Sequence, residues 1–539
     1  MDWDEFSDWS KRIAEWGSQY HKTLRDRPVR AQTKPGEIAA QLPDTPPEKP
    51  EDMEQILRDF ENIVMPGITH WQHPRFFAYF PANAAPPSML AEQLVNMVAA
   101  QCMLWQTSPA ATEVEGKMVD WMRQALGLVD EFTGVIQDSA SSATLSAVLT
   151  MRERATGFTG NRDGLAGKGA LRIYCSDQVH SSIDRACWVA GIGQANLVKI
   201  PVTGSRFGMD EEALDAAIRA DIKEGHRPSG IIAITGGTGV GACDDLKAIA
   251  KVAKIHDLYT HLDAAWAGSA MICPEYCDAF WKGVNAYDSI VFNPHKWLGA
   301  QFDCSIQFLK DAEPQLNTLK IEPEYLKTTG EAVTNYSEWT IPLGRRFRAL
   351  KLWFLIRSYG LVGLQTRIRN HVFWAEELCE KIRTLEGFEI TTEPILSLFS
   401  FRCPGDDPAQ QRLVDAINDD GRIQLLDKKG CQILQYLHTK NSEEEATDGQ
   451  HITLMKFFCE LNNLETYASV YNLMSTFFAD FSTTIARFPT ITGGQIDLSN
   501  KSNTSSFFNV MAQLYLHRCD GNGRSIYNPK IVNASEAKK

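Results

Sequence analysis

Apolar residues recur at three- and four-residue intervals at the start of the chain. Phe6, Trp9, Ile13, Trp16 and Tyr20 predict an amphipathic helix over 4–24. The segment from Pro35 to Pro50 is too proline-dense for a helix or an inner strand, because each proline fixes φ and removes a donor. It is expected to lie extended over a surface. Met53, Ile56, Leu57, Phe60, Ile63 and Val64 predict a second amphipathic helix over 53–64, stopped near Pro66. Such an arm cannot bury its apolar face alone, so a second copy of the chain is expected to cover it.

From about 130 to 310 short apolar runs alternate with helical periods. The runs Thr133–Ile136, Leu171–Cys175, Asn196–Pro201, Gly230–Thr235, Tyr259–Asp263, Ser289–Asn293 and Cys304–Leu309 predict seven strands, with helices near 142–155, 210–224 and 244–256. This alternation predicts an α/β unit built on a mainly parallel sheet. Such sheets bind ligands outside the carboxyl ends of their strands. From about 352 a long helical stretch precedes short strands at Leu396–Cys403 and Ile452–Cys459 and a helix near 464–480, which together predict a smaller α+β unit. Between those strands, residues 441–450 form a charged, turn-rich loop. The last fifty residues, rich in Ser, Asn and Gly, are expected to be a loose appendage.

Composition narrows the function classes. The 539 residues are 44% hydrophobic and 22% charged, enough apolar material for a large core. A net charge of −13 argues against a phosphate backbone as partner. There is no 18-residue apolar run, and the start is acidic where a secretory signal would be basic and then apolar, so a cytoplasmic protein without membrane contact is expected. The 12 cysteines contain no CxxC pair and read as free thiols, Cys273 and Cys277 included. His70 and His73 have no third ligand nearby in sequence, so no metal is expected. Asn503-Thr-Ser505 matches a glycosylation triplet, which a cytosolic chain would leave unmodified.

Chemistry gathers at the strand ends. After the first strand, Ser139, Ala140 and Ser141 open a helix, whose exposed N–H groups and hydroxyls suit an anion. His180 follows the second strand. Gly236-Gly-Thr-Gly-Val-Gly241, with Thr238 at its centre, lacks the spacing of a dinucleotide fingerprint. Asp263 ends an apolar strand, and Lys296 follows the next one in Asn293-Pro-His-Lys-Trp297. Desolvation there lowers a lysine's pKa enough to make it a Schiff-base former. Pyridoxal 5'-phosphate fits the whole set. Its phosphate suits the Ser139/Ser141 helix start, its aldehyde Lys296, its pyridine nitrogen Asp263 and its flat ring His180.

The motifs Phe76-Phe-Ala-Tyr-Phe-Pro81, Ser108-Pro-Ala-Ala-Thr-Glu-Val-Glu115, His180-Ser-Ser182, His261-Leu-Asp-Ala-Ala265, Asn293-Pro-His-Lys-Trp297 and Trp339-Thr-Ile-Pro-Leu-Gly-Arg-Arg-Phe-Arg348 occur in this order. From about 50 to 375 the chain resembles the group II pyridoxal-phosphate-dependent aromatic-L-amino-acid decarboxylases, the relatives of DOPA, tryptophan and tyrosine decarboxylases. The resemblance implies a fold type I α/β enzyme that is a homodimer with shared active sites. It divides the chain into a helical arm over 1–85, a large cofactor-binding domain over 86–352, a small α+β domain over 353–485 and an appendage over 486–539.

The resemblance also implies roles. Lys296 bonds the cofactor aldehyde, Asp263 partners the pyridine nitrogen, His180 stacks on the ring, and Thr238 and Ala265 lie close to the cofactor. Ser139, Ala140, Ser141, Asn293 and His295 surround the phosphate. Tyr325, in Glu322-Pro-Glu-Tyr-Leu-Lys327, matches the mobile-loop tyrosine that returns a proton to Cα. Trp71, Tyr79, Phe80, Pro81 and Phe302 match the wall around the substrate ring, and Gln101 and Met103 match positions supplied by the other subunit. Tyr325 favours simple decarboxylation over the aldehyde-synthase reaction, whose enzymes carry Phe there. Gly344 matches a Gly of indole-accepting members, so tryptophan is the expected substrate, ahead of tyrosine, DOPA and phenylalanine. Intact Lys296, Asp263, His180 and Tyr325 argue against a silent homologue acting only through its surface. Asp138 stands where the animal enzymes have Gly, and Ser142 replaces a Glu. Asp427–Gln450 departs most from the family pattern.

Overall fold

Strands covered on both faces must bury every side chain, and Tyr259–Asp263 and Ser305–Leu309 are buried at every position, their polar members Thr260, His261, Ser305 and Gln307 being hydrogen-bonded. The computed structural model of the chain describes residues 1–80, 84–321, 333–385 and 387–402, scattered positions within 412–419, and a strand at Ile452–Met455. The sheet strands in chain order are β1 (Thr133–Gln137), β2 (Leu171–Ser176), β3 (Leu197–Ile200), β6 (Arg227–Ile234), β7 (Tyr259–Asp263), β8 (Ser289–Phe292) and β9 (Ser305–Leu309), with a small ribbon of β4 (Val202–Thr203) and β5 (Gly208–Met209) beside them. The seven-stranded order is β1-β9-β8-β7-β6-β2-β3. The pairs β2–β3, β2–β6, β6–β7 and β7–β8 are parallel. Only β9 is reversed, antiparallel to both β8 and β1. Two reversals restore direction, so β1 ends at the same edge of the sheet as β6, β7 and β8.

Helices cover the sheet: α3 (Pro86–Val98), α4 (Pro109–Ala125), α5 (Ala140–Ala155), the short α6 (Gly160–Asp163), α7 (Ser181–Val189), α8 (Glu211–Lys223), α9 (Leu246–Ile255), α10 (Glu313–Leu319) and α11 (Ala349–Arg383). One apolar core joins Ile231, Leu262, Ile290 and Phe308 of the sheet to Trp266, Trp297 and the inner face of α11, including Leu352, Leu355 and Ile368. Beyond α11, β10 (Glu389–Ile395), β11 (Leu398–Arg402) and β12 (Ile452–Met455) form an antiparallel sheet.

The N-terminal arm contains α1 (Trp3–Thr23), closed by an Asp2–Glu5 capping box, and α2 (Met53–Asp59). Trp16 packs edge-on against Phe60, and its Nε1–H donates to Glu61. Arg12 pairs with Glu54. No residue of α1 is buried, and Trp3 is 83% exposed.

The differences from the sequence reading have local causes. The second helix ends at Asp59, and Phe60–Val64 continues as a wider turn. β6 starts at Arg227, ahead of the predicted Gly230, because Pro228 lies in its first residues, where it masks the strand pattern. Asn196 belongs to a tight turn, so β3 begins at Leu197. The predicted strand from Leu396 begins only at Leu398, because Leu396 has φ +54° in the turn between β10 and β11, and β10 ahead of that turn was not predicted. The loop at 441–450, the helix near 464–480 and the appendage over 486–539 lie outside the described residues.

Candidate active site

Most of the side chains singled out in the sequence meet at the shared carboxyl edge. Asp263 ends β7 and is buried, its Oδ1 accepting the Ala265 N–H at 3.0 Å. Asn293, which follows β8, donates its N–H to Ala265 O at 2.7 Å, and its Oδ1 accepts the Ser305 hydroxyl at 2.6 Å. Lys296 lies in the turn Pro294–Leu298, with its Nζ 5.6 Å from the centre of the Phe80 ring. Phe80 stacks on Trp266 at 4.7 Å. The Thr238 loop is pinned by the Gly236 and Gly237 N–H groups, both donating to Ala242 O. Gly236 has φ +84°, and a Cβ there would lie 2.5 Å from Ala267 Cβ, so this tight return needs glycine.

Burial sets the charge states. It lowers the pKa of Lys296, with Asp263 pulling the other way. Burial, helped by Lys296, pushes His295 down to about 3, so its ring is neutral. His295 Nδ1 accepts the Cys304 N–H at 2.8 Å, which leaves its proton on Nε2 as a donor. His261, behind Asp263 on β7, is pushed by burial down to about 4 and bridges Thr144 Oγ1 (3.3 Å) and Ser289 Oγ (2.9 Å). His180 caps α7, its Nδ1 accepting the Ser182 N–H. It is open on one side, yet desolvation by its walls holds its pKa below the ordinary histidine value against the attraction of Asp263.

At the end of β1, Ser139 caps α5 and accepts the Ser142 N–H at 3.2 Å. The Ala140 and Ser141 N–H groups are first-turn amides with no acceptor inside the helix. Residues 35–404 match the family described as the pyridoxal-dependent decarboxylase conserved domain. The chain belongs to the group II pyridoxal-phosphate-dependent decarboxylases. It is 38% identical over 442 residues to the aromatic-L-amino-acid decarboxylase of Drosophila simulans, a match covering 80% of this chain and 86% of that protein. It is 37% identical over 443 residues to the phenylacetaldehyde synthase of Arabidopsis thaliana, covering 78% and 89%. Among solved structures, Catharanthus roseus tryptophan decarboxylase in complex with L-tryptophan matches with a TM-score of 0.78 at 30% identity, over 89% of this chain and 99% of that one.

The donor set fits the cofactor of this decarboxylase, pyridoxal phosphate. Free first-turn amides and the Ser139 hydroxyl suit a phosphate, a buried carboxylate suits a protonated pyridine nitrogen, and a desolvated amine suits an aldehyde. The remaining predicted residues fall into two groups. Trp71 stacks at 5.6 Å on Tyr79, the residue before Phe80, and Phe302 packs 4.7 Å from the His295 ring. Gln101, Met103 and Gly344 gather elsewhere. Gln101 Oε1 accepts the Arg345 N–H at 2.8 Å and Met103 O accepts the Ser337 N–H, so none of their hydrogen bonds reaches the Lys296 group. Pro81 and Tyr325 lie outside the described residues.

Sequence reasoning missed the charged frame around these groups. Buried Arg345 donates to Glu115 and to Ile136 O, and its guanidinium lies over Tyr336. Fully buried Lys351 pairs with Glu92 at 2.6 Å and donates to Asp303 O at 2.9 Å, while Arg348 pairs with Asp303 at 2.8 Å. Lys351 thereby fixes the loop carrying Phe302. Its one sequence signal is a lysine inside the otherwise apolar face that begins α11.

Proposed function

We propose that this decarboxylase converts an aromatic L-amino acid, tryptophan in preference, into its arylalkylamine and carbon dioxide. The observation that carries the reading is the Lys296 amine 5.6 Å from the Phe80 ring, itself stacked on Trp266, with Tyr79 next in sequence stacked on Trp71. Such a wall suits a planar ring by area and by stacking. The match to an aromatic-L-amino-acid decarboxylase supports the same substrate class. Gly344 supports tryptophan through its match to the Gly of indole-accepting members, and a Cβ there would press on Gln101 Nε2 at 3.3 Å.

Each residue then has a task. Ala140 and Ser141 offer N–H groups, and Ser139 a hydroxyl, to the phosphate. Asp263 holds the proton on the pyridine nitrogen, and Lys296 supplies a readily neutralised amine for the aldehyde. When bound, pyridoxal phosphate supplies an electron sink for the pair left at Cα as carbon dioxide departs. Tyr325 returns a proton to Cα, a general-acid contribution of about 10²–10⁴ in rate.

The working unit of this reading is a homodimer in the cytoplasm. The uncovered apolar residues of α1 and α3, among them Trp3, Leu90, Met97 and Val98, support a second copy as their cover. The buried free thiols suit a reducing compartment. No helix among the described residues is long and apolar enough to cross a membrane.

A second reading, an aldehyde synthase, draws on the phenylacetaldehyde synthase match, and the identity of Tyr325 opposes it. Purified protein with pyridoxal phosphate is offered tryptophan, tyrosine, DOPA, phenylalanine and glutamate in competition, and amine, aldehyde and peroxide are measured. Tryptamine without peroxide is the expected result. Another aromatic amine would discard the tryptophan preference, and aldehyde with peroxide would discard the decarboxylation. The Tyr325→Phe variant should shift product towards aldehyde, peroxide and ammonia. Undiminished amine formation by that variant would remove Tyr325 as the proton donor.

A further inference from the structure

The helix that receives the cofactor phosphate already has an anion of its own. Asp138, the residue between β1 and the Ser139 cap, accepts the Ser139 hydroxyl proton on Oδ1 at 2.8 Å. The hydroxyl oxygen is meanwhile occupied by the Ser142 N–H. Ser139 has a single hydroxyl proton, so it cannot donate to Asp138 and to a phosphate oxygen together. Asp138 also lies within electrostatic reach of the His295 ring and of the Arg348 guanidinium. That guanidinium is shared with Asp303, and His295 is neutral, so the cationic partner of Asp138 is already divided.

We infer that Asp138 is a built-in rival of the cofactor phosphate. Its carboxylate competes for the Ser139 hydroxyl and repels the dianion at the α5 N-terminus, so the chain holds pyridoxal phosphate more weakly than its donor set allows. The inference concerns cofactor retention and is independent of which amino acid is consumed. A consequence for the molecule is a population that exchanges cofactor with its surroundings, with turnover following cofactor supply.

Equilibrium dialysis of the full-length chain separates the phosphate end from the rest of the cofactor. Wild type, Asp138→Asn and Asp138→Gly are each dialysed against pyridoxal phosphate and against pyridoxal, which lacks the phosphate, with bound cofactor read by absorbance. Both variants should bind pyridoxal phosphate about tenfold tighter or better, by removal of one like charge at close range. Pyridoxal affinity should stay within experimental error of wild type. Unchanged or weaker pyridoxal phosphate binding in both variants, with thermal unfolding like that of wild type, would overturn the inference. An equal gain for pyridoxal would overturn it too, because the effect would then not act through the phosphate.

Discussion

A lysine that must work as an amine near neutral pH needs surroundings that penalise its charge more than a neighbouring carboxylate rewards it. Lys296 meets that condition through burial, with Asp263 as the opposing attraction. The proposed preference for tryptophan draws on a second position, Gly344, which lies apart from the Lys296 group. A Cβ on residue 344 would lie 3.3 Å from Gln101 Nε2, and Gln101 is tethered through Oε1 to the Arg345 N–H. Gly344→Ser should therefore lower kcat/KM for tryptophan relative to tyrosine by about tenfold or more, the range expected for a small steric change beside a ring. Competition kinetics read this directly, and an unchanged ratio would detach Gly344 from substrate choice. Residues of this class were legible in the sequence because they end apolar runs: Asp263 closes β7 and Lys296 follows β8. Arg345 and Glu115 were not, although both stand in motifs that were read. Their pairing joins positions 230 apart, and neither helix face nor strand pattern signals a partner at that distance.

At the level of elements, periodicity located the strands of the large sheet to within a few residues, since burial on both faces leaves a continuous apolar run. Breaks were harder to see. Within α11, Gly360 has φ +63° and ψ 167°, a conformation essentially confined to glycine, so the helix changes direction there. The sequence predicts only one long helical stretch across this point, because flanking Tyr359 and Leu361 sustain the apolar pattern. A Cβ at 360 meets nothing within 4 Å, and the whole cost of adding one falls on the backbone. Gly360→Ala should destabilise the protein by about 1–3 kcal/mol without filling or opening any space. Urea denaturation would report this as a lower midpoint at an unchanged slope. A midpoint equal to wild type would mean that the break relaxes into continuous helix.

For the molecule as a whole, one buried carboxyl links stability to pH. Asp244 accepts the Met209 and Ile234 N–H groups, each at 2.7 Å, joining β5 to the end of β6. Burial outweighs these two donors and pushes its carboxyl up to about 7. The unfolded carboxyl titrates near about 3.9, so its contribution to stability is whole below that value and is lost as pH rises to about 7. Thermal unfolding from about pH 5 to about pH 8.5 should show wild type losing stability relative to Asp244→Asn until about pH 7, with a constant difference above it. Parallel curves throughout would mean an Asp244 already ionised across this whole range. The reversed strand β9 has a different consequence, one of time. Among the described strands β1 borders only β9, and Gln137 Nε2 donates across them to Gln307 Oε1, 170 positions away. During synthesis, the first strand made is thus the last to find its neighbour, long after β2, β6, β7 and β8 have emerged and lined up. With the cofactor placed as proposed, the Asp263 and Lys296 end of the site can take shape while the Ser139 end is still waiting, and a nascent chain can join the two ends only once Leu309 has left the ribosome.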